Sequence, residues 1–425
     1  MTRLEELRVS RRQALQSVGG ALLAGGLVSG LAACGGGDGG SSSTTVTAWF
    51  NRPENRRAME DLLAAFKRDH PDIAVDVAYK PTAEYPAVLK TALVGGAGPD
   101  AIVTNGANGI WGDTGADGGY ILPLDGRLDL SALQPSVQRA ITYRGHVYGA
   151  PVSTFRVGVY YQRELFDKHG LSEPTSWDEL LATSRALSDA GDVAAWAMPA
   201  QDMILPFFFY HLAVNSILGD DSVAALTSGR RKLTDPDLVR AAQLMIDASK
   251  TFAEGYQAVA YAEGKALFAQ GRAAMIVGGS SDYAGYTEIN PQLDAGFFGF
   301  PSPDGSQAPT VLNGLSMAYT VNKKASDRDA TATFVTWLTS RAAQQVVLDQ
   351  LGLPSIDGLA PSGSDTRSAM LRTILGVDAS PSWLDFPTTG GTIVAVQRAP
   401  QLFTGKLTAE QFAAQVQRAI VVAPA

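Results

Sequence analysis

Polar and apolar positions exchange regularly from Thr44 onward. TTVTAWF (44–50) alternates, putting Val46, Ala48 and Phe50 on one face, the pattern of a half-buried strand. Past Pro53 the period changes: Met59, Leu62, Leu63 and Phe66 recur at helical spacing and predict a helix from Glu54 to His70, stopped by Pro71. Ile73, Val75 and Val77 alternate again, Tyr85, Val88, Leu89 and Ala92 return to the helical period, and Gly95-Gly96 ends that helix. DAIVTN (100–105) is a short buried strand. The exchange resumes with a strand at VGVYY (157–161) and a capping box, Ser176 to Glu179, that opens a helix to Gly191. Strands follow at AAMIVGG (273–279) and SMAYTVN (316–322), then a long helix from Asp327 to about Gln350, stopped by Gly352 and Pro354. A last capping box, Thr408 to Gln411, precedes Phe412, Val416, Ala419 and Ile420. Strands alternating with amphipathic helices predict an α/β protein of parallel sheets with helices on both faces.

Upstream of Thr44 the exchange is absent. Residues 1–20 hold Arg3, Arg8, Arg11 and Arg12 against Glu5 and Glu6, and Ala21 to Ala33 carries no charge. Thirteen such residues are too few to cross a bilayer of about 30 Å, but they suit the apolar region of a signal peptide. SRRQALQ (10–16) resembles the twin-arginine export signal, with Ala14 where Phe is commoner. LAAC (31–34) resembles the bacterial lipobox, whose cysteine is acylated, palmitate being a typical chain, and becomes the new N-terminus. Cys34 is the one cysteine of the chain, so it has no internal disulfide partner. Residues 1–33 are therefore expected to be a removable signal, and residues 34–45 a Gly/Ser-rich tether. The body would be a lipid-anchored, extracytoplasmic protein at the cell membrane.

Charge narrows the partners. The formal charge is −8, and −10 once the +2 of the first 33 residues is set aside, which argues against nucleic acid or an anionic membrane surface as ligand. The longest other apolar run, LPFFFYHLAV (205–214), includes His211 and is too short to span a bilayer. The four histidines (70, 146, 169, 211) are dispersed, GDTGADGG (112–119) lacks the spacing of a calcium loop, and no phosphate-loop or zinc-protease motif is present. No cofactor and no metal are expected. In open α/β sheets ligands bind beyond the carboxyl ends of the strands. That rule selects Asn51, Arg52 and Glu54, then Asn105 and Asn108, then Ser280, Ser281, Asp282 and Tyr283. Amides, hydroxyls, carboxylates and an aromatic ring suit a polyhydroxylated ring, although Asn51 could equally cap the helix after Pro53.

Five stretches in order, TVTAWFNRPENRRAMEDLLAAFKRDHPDIAVDV, LKTALVGGAGPDAIVTN, GHVYGAPVSTFRVGVYYQRELFDKHGLSEPTSWDELLATSRAL, GRAAMIVGGSSDY and VLNGLSMAYTVNKKASDRDATATFVTWLTS, resemble extracellular solute-binding proteins of bacterial ABC importers. The resemblance is to their sugar-binding, maltose-binding-protein-like branch and spans residues 46–425. It implies a two-lobe, periplasmic-binding-protein-like (type II) α/β fold, with parallel-sheet lobes joined by several hinge crossings. Residues 46–154 and 303–355 would form one lobe, and 155–302 and 356–425 the other. Carried over block by block, it assigns Asn51, Glu54 and Asn105 to the cleft side of the first lobe. Ser153, Phe155 and Arg156 fall at the first hinge crossing, Asp202, Ser281, Asp282 and Tyr283 on the second lobe, Asn313 and Gly314 at the return crossing, and Trp383 in the C-terminal part. Tyr283 and Trp383 are the expected stacking aromatics, and as cleft residues would matter little to stability without ligand.

The implied function is capture of a carbohydrate, an oligosaccharide foremost, by a monomer that closes over it and delivers it to the importer permease. A glycerophosphodiester or another small polar solute is the alternative ligand. A hydrolase is the alternative activity, with Glu54 and Asp282 as its two carboxylates. At the other end of the chain, Cys34→Ala is expected to accumulate as unprocessed or mislocalised precursor and to incorporate no labelled fatty acid. Acylation of that variant would contradict the lipobox reading.

Overall fold

The computed structural model of the chain describes residues 44–82, 84–106, 108–201, 204–382 and 389–420. Its strands are β1 (Thr44–Phe50), β2 (Ile73–Tyr79), β3 (Ala101–Asn105), β4 (Ile121–Leu122), β5 (Thr142–Tyr143), β6 (His146–Val147), β7 (Ala150–Gln162), β8 (Ala194–Trp196), β9 (Ala273–Gly279), β10 (Ala295–Phe298), β11 (Thr310–Asn322) and β12 (Asp378–Pro381). One sheet runs in the order β2-β1-β3-β11-β7-β9-β8. Its two ends are parallel, as expected: β1 pairs with β2 and β3, and β8 with β9. Its middle is antiparallel, because β11 and β7 run against each other and against their outer neighbours β3 and β9.

Two hydrophobic cores lie along this sheet. One gathers Val46, Phe50, Leu62, Phe66, Ile102 and Val103 with Tyr319 and Phe334. The other gathers Tyr160, Trp196, Phe207, Phe209, Phe268 and Phe300 with the C-terminal Phe412 and Val416. β7 and β11 belong to both. Ala150 and Val152 of β7 pack in the first core and Val157 to Tyr161 in the second, while β11 gives Leu315 to Val321 to the first and Val311 and Leu312 to the second.

That double membership explains where periodicity misjudged the elements. β7 and β11 are 13 residues each, longer than the expected 157–161 and 316–322, and nearly all their side chains are buried. A strand covered on both faces shows no alternation to mark its ends. β1, covered on one face, does alternate, with Val46, Ala48 and Phe50 buried.

The expected helix from Asp327 to Gln350 is also interrupted. It runs Arg328–Trp337, restarts as Arg341–Val346 under a Ser340 cap, and ends in a wider turn over Val347–Leu351. The buried Gln344 amide holds the break by donating to the Leu338 and Val152 carbonyls, and so ties the helix to β7. The first expected helix likewise opens as a short turn over Pro53–Asn55 before Arg56–Asp69. Thr408 and Gln411 make the full reciprocal cap. Ser176 caps its helix, but the Glu179 carboxylate accepts from the Thr175 amide and hydroxyl instead of closing the box.

Asp100, ahead of β3, fastens three segments of the first core. Its carboxylate accepts from Thr47 N at 2.9 Å, Thr47 Oγ1 at 2.7 Å and Ser326 N at 2.6 Å. Burial pushes the carboxyl pKa up, but these hydrogen bonds outweigh it and leave the group below its ordinary value. Asp100→Ala should therefore cost about 3 kcal/mol at neutral pH, the scale of a few bonds to a charged group. Because the native pKa is depressed, the carboxylate's contribution is complete above about pH 4 and is lost as pH falls through the native value. Urea unfolding of both proteins at pH 7 and pH 3 should show the gap narrowing. A gap independent of pH would mean that charge plays no part.

Candidate functional site

Where the crossing strands meet the loops at the carboxyl ends of β1 and β9, the structure encloses a cavity of about 450 Å³. Its walls come from both cores. Arg52, Glu54 and Asn55 follow β1, and Ser316 lies where the β11–β7 register slips between Leu315 and Met317. Ser280, Ser281 and Tyr283 follow β9, and the helix Thr366–Leu375 presents Arg367, Met370 and Leu371. Ser153, Thr154 and Phe155 of β7 form the floor, beside the turn Gln350–Leu353.

Polar groups on these walls are only partly matched by protein partners. Ser153 Oγ is buried with no hydrogen-bond partner. Arg52 Nη2 donates to Ser316 Oγ at 3.0 Å, and Arg367 Nη1 to the Asp349 carbonyl at 2.7 Å. Burial lowers the Arg52 pKa from its ordinary value, and nearby Glu54 opposes the shift. Among the described residues no group of three or more His, Cys, Asp or Glu side chains could hold a metal ion, and no helix is long and apolar enough to cross a membrane.

The cavity brings together Glu54, Ser153, Phe155, Ser281 and Tyr283 from the residues singled out in the sequence. The others are placed differently. Asn51 is fully buried at the end of β1, caps no helix, and has both amide atoms without a protein partner. Asn105 ends β3 exposed and off the cavity wall. Asp282 supports the site from behind, its carboxylate accepting from Gly279 N at 2.7 Å and Tyr261 Oη at 2.5 Å. Gly314 leaves room for the Phe155 ring, since a Cβ there would lie 2.6 Å from it.

Arg156 and Asn313 line a second cavity of about 310 Å³ and are absent from the walls of the first. Arg156 Nη1 donates to the carbonyls of Ile374, Leu375 and Val377 at the end of the Thr366–Leu375 helix, and Asn313 Nδ2 to Gln134 and Ser136. Asp202, Trp383 and Cys34 lie outside the described residues.

Sequence reasoning missed the Thr366–Leu375 wall, because nothing in a helical period says which face borders a cleft. The strand-end rule selected Arg52, but the family resemblance did not carry it over as a ligand contact. The signal was there: an arginine two residues past a strand's carboxyl end.

The sequence profile of the bacterial extracellular solute-binding proteins matches residues 51–345, more than half of the chain. The chain belongs to that family. Its relatives include the multiple sugar-binding protein of Streptococcus mutans serotype c, 24% identical over 318 residues that span 72% of this chain and 74% of that one. The apo form of RafE from Streptococcus pneumoniae superposes with a TM-score of 0.74 at 20% identity, over 90% of this chain and 100% of RafE. The GacH receptor of Streptomyces glaucescens, solved unliganded and with acarbose, gives 0.70 at 21% identity over 89% and 97%. These likenesses show the fold, the two-lobe type II α/β architecture.

As a member of this family the protein uses its aromatics unequally. Tyr283 is buried, and its ring stacks on Tyr160 with centroids 6.3 Å apart and planes at 11°. It is a core residue that reaches the cavity wall, so its expected neutrality without ligand does not fit this packing. Tyr283→Ala should lower ligand-free stability by about 3 kcal/mol. Phe155→Ala, whose ring is partly open to the cavity, should lose about 1 kcal/mol. Chemical denaturation distinguishes them, and equal losses would place both rings in one environment.

Proposed function

We propose that this solute-binding protein captures a carbohydrate, an oligosaccharide foremost, in the 450 Å³ cavity and delivers it by lobe closure to the permease of an ABC importer. The observation that supports this most is the composition of the cavity: walls from two separate cores, over a floor of the strands they share. Ligand touching both walls favours a closed state by its differential affinity, and the importer can sense the resulting shape. The volume lies within the range of small-molecule sites. The partly matched hydroxyl and guanidinium groups suit ligand hydroxyls, with Phe155 for an apolar ring face. The same reading takes the lobes as 46–154 with 303–355 and 155–302 with 356–425, and gives Asn51 and Asn105 supporting places at the first lobe's edge. The protein would act as a monomer, acylated at Cys34 and held outside the membrane by its tether.

Binding without chemistry is part of the proposal. A hydrolase needs two carboxylates flanking one bond. Glu54 lines the cavity, whereas Asp282 is turned to Gly279 and Tyr261. Calorimetry with oligosaccharides should give one site per chain, and chromatography should return the sugar intact. X-ray scattering should show a smaller radius of gyration with ligand, and stability should rise by about 2.7 kcal/mol at a hundredfold excess over Kd. Tight binding with an unchanged scattering curve would sink lobe closure, and shortened sugars would sink the binding role.

A further inference from the structure

Two arginines on the cavity walls donate no hydrogen bond to a carboxylate among the described residues. Arg52 donates to the Ser316 hydroxyl and more distantly to its carbonyl, and Arg367 to the Asp349 carbonyl. These neutral oxygens engage one of the three nitrogens of each guanidinium, and neither arginine forms a salt bridge among the described residues. Asp349 and Asp365 lie close enough to feel the charge of Arg367, but their oxygens accept hydrogen bonds from other groups. Asp349 accepts from Ser362 N and Gln345 Nε2, and Asp365 caps its helix through Ser368 N. Glu54 is the one carboxylate on the cavity wall, and it is exposed. The lining therefore carries two positive charges against one negative, in a protein whose formal charge is −8.

We propose that the cavity selects a saccharide bearing an anionic group, held between Arg52 and Arg367. This rests on the carbohydrate-binding reading above and narrows it. A guanidinium matches a carboxylate or phosphate with paired, charge-assisted N–H···O bonds, which a neutral hydroxyl cannot reproduce. A cation withdrawn from water without a counterion is costly, and a bound anion offsets that cost. Burial already holds the Arg52 pKa below its ordinary value.

The placement also bears on closure. Arg52 stands on the side of the core built around β1, and Arg367 on a helix whose Met370, Leu371 and Ile374 belong to the other. Two like charges on facing walls repel as the walls approach, and an anion between them turns that repulsion into attraction. Closure then depends on the ligand's charge as well as on its shape.

The test compares charged and uncharged saccharides of matched size: trigalacturonate against its methyl ester, and trehalose 6-phosphate against trehalose, with maltotriose as a further neutral probe. Calorimetry should show at least one acidic probe binding tenfold or more tighter than its uncharged counterpart. Arg52→Gln and Arg367→Gln should each shrink that gap, weakening the acidic probe by a larger factor than its uncharged counterpart. Melting temperatures without ligand check that both variants fold. Salt gives a test on the wild-type protein alone: raising it from 20 to 200 mM should weaken the acidic probe several-fold and leave neutral ones unaffected, because screening acts only on charge. The trigalacturonate and trehalose 6-phosphate arms tell carboxylate from phosphate as the preferred group. Uncharged probes binding as tightly as their acidic counterparts would overturn the proposal and leave the carbohydrate reading standing. No binding by any saccharide, charged or neutral, would remove that reading and this one with it.

Discussion

The antiparallel pairing of β7 with β11 is the constraint on which the rest depends. The two strands pair from Ala150 with Tyr319 to Phe155 with Gly314, and each continues out of one hydrophobic core into the other. A backbone ladder fixes which side chains face each way, because successive residues point to opposite sides. Phe155 lines the cavity between the walls while Arg156, one residue on, lines the second cavity and holds the end of the Thr366–Leu375 helix. That helix supplies a wall of the same cavity. The crossing strands thus set the floor directly and one wall through Arg156.

The sequence made some of this visible and concealed the rest, for physical reasons. β1 alternates because one face is covered and the other is not, and its end led to Glu54. The carboxyl end of β9 led to Ser281 and Tyr283 by the same rule. β7 and β11 hide their length because burial on both faces removes the alternation. The helix after β11 hides its break because Gln344 is an ordinary helix former until Leu338 and Val152 accept its amide protons. Family resemblance assigns Arg156 and Asn313 to the ligand, and in the structure they line the second cavity, not the first. Arg156 lies beside Phe155, and the pleat sends it to the second cavity.

The cavity shows a division between holding and recognising. Asp282, Gly314 and Tyr283 hold: a carboxylate fastened to a backbone amide and a phenol, a glycine that admits a ring, and an aromatic stacked into a core. Ser153, Arg52 and Arg367 keep hydrogen-bonding capacity that the protein does not fill, and the proposed function assigns them to the ligand. Buried polar groups are usually paired, so the unpartnered Ser153 hydroxyl on the floor of the cavity is an exception that a polar ligand would remove.

The proposed function puts the ligand between the two cores, in the first cavity and not in the second. Hydrogen–deuterium exchange with and without a bound saccharide tests this directly. Protection should rise at Arg52–Asn55, Ser280–Tyr283 and Gln350–Leu353, three segments from three parts of the chain that meet only at the first cavity. Protection confined to residues 134–139 and 376–381, which border the cavity of Arg156 and Asn313, would contradict it.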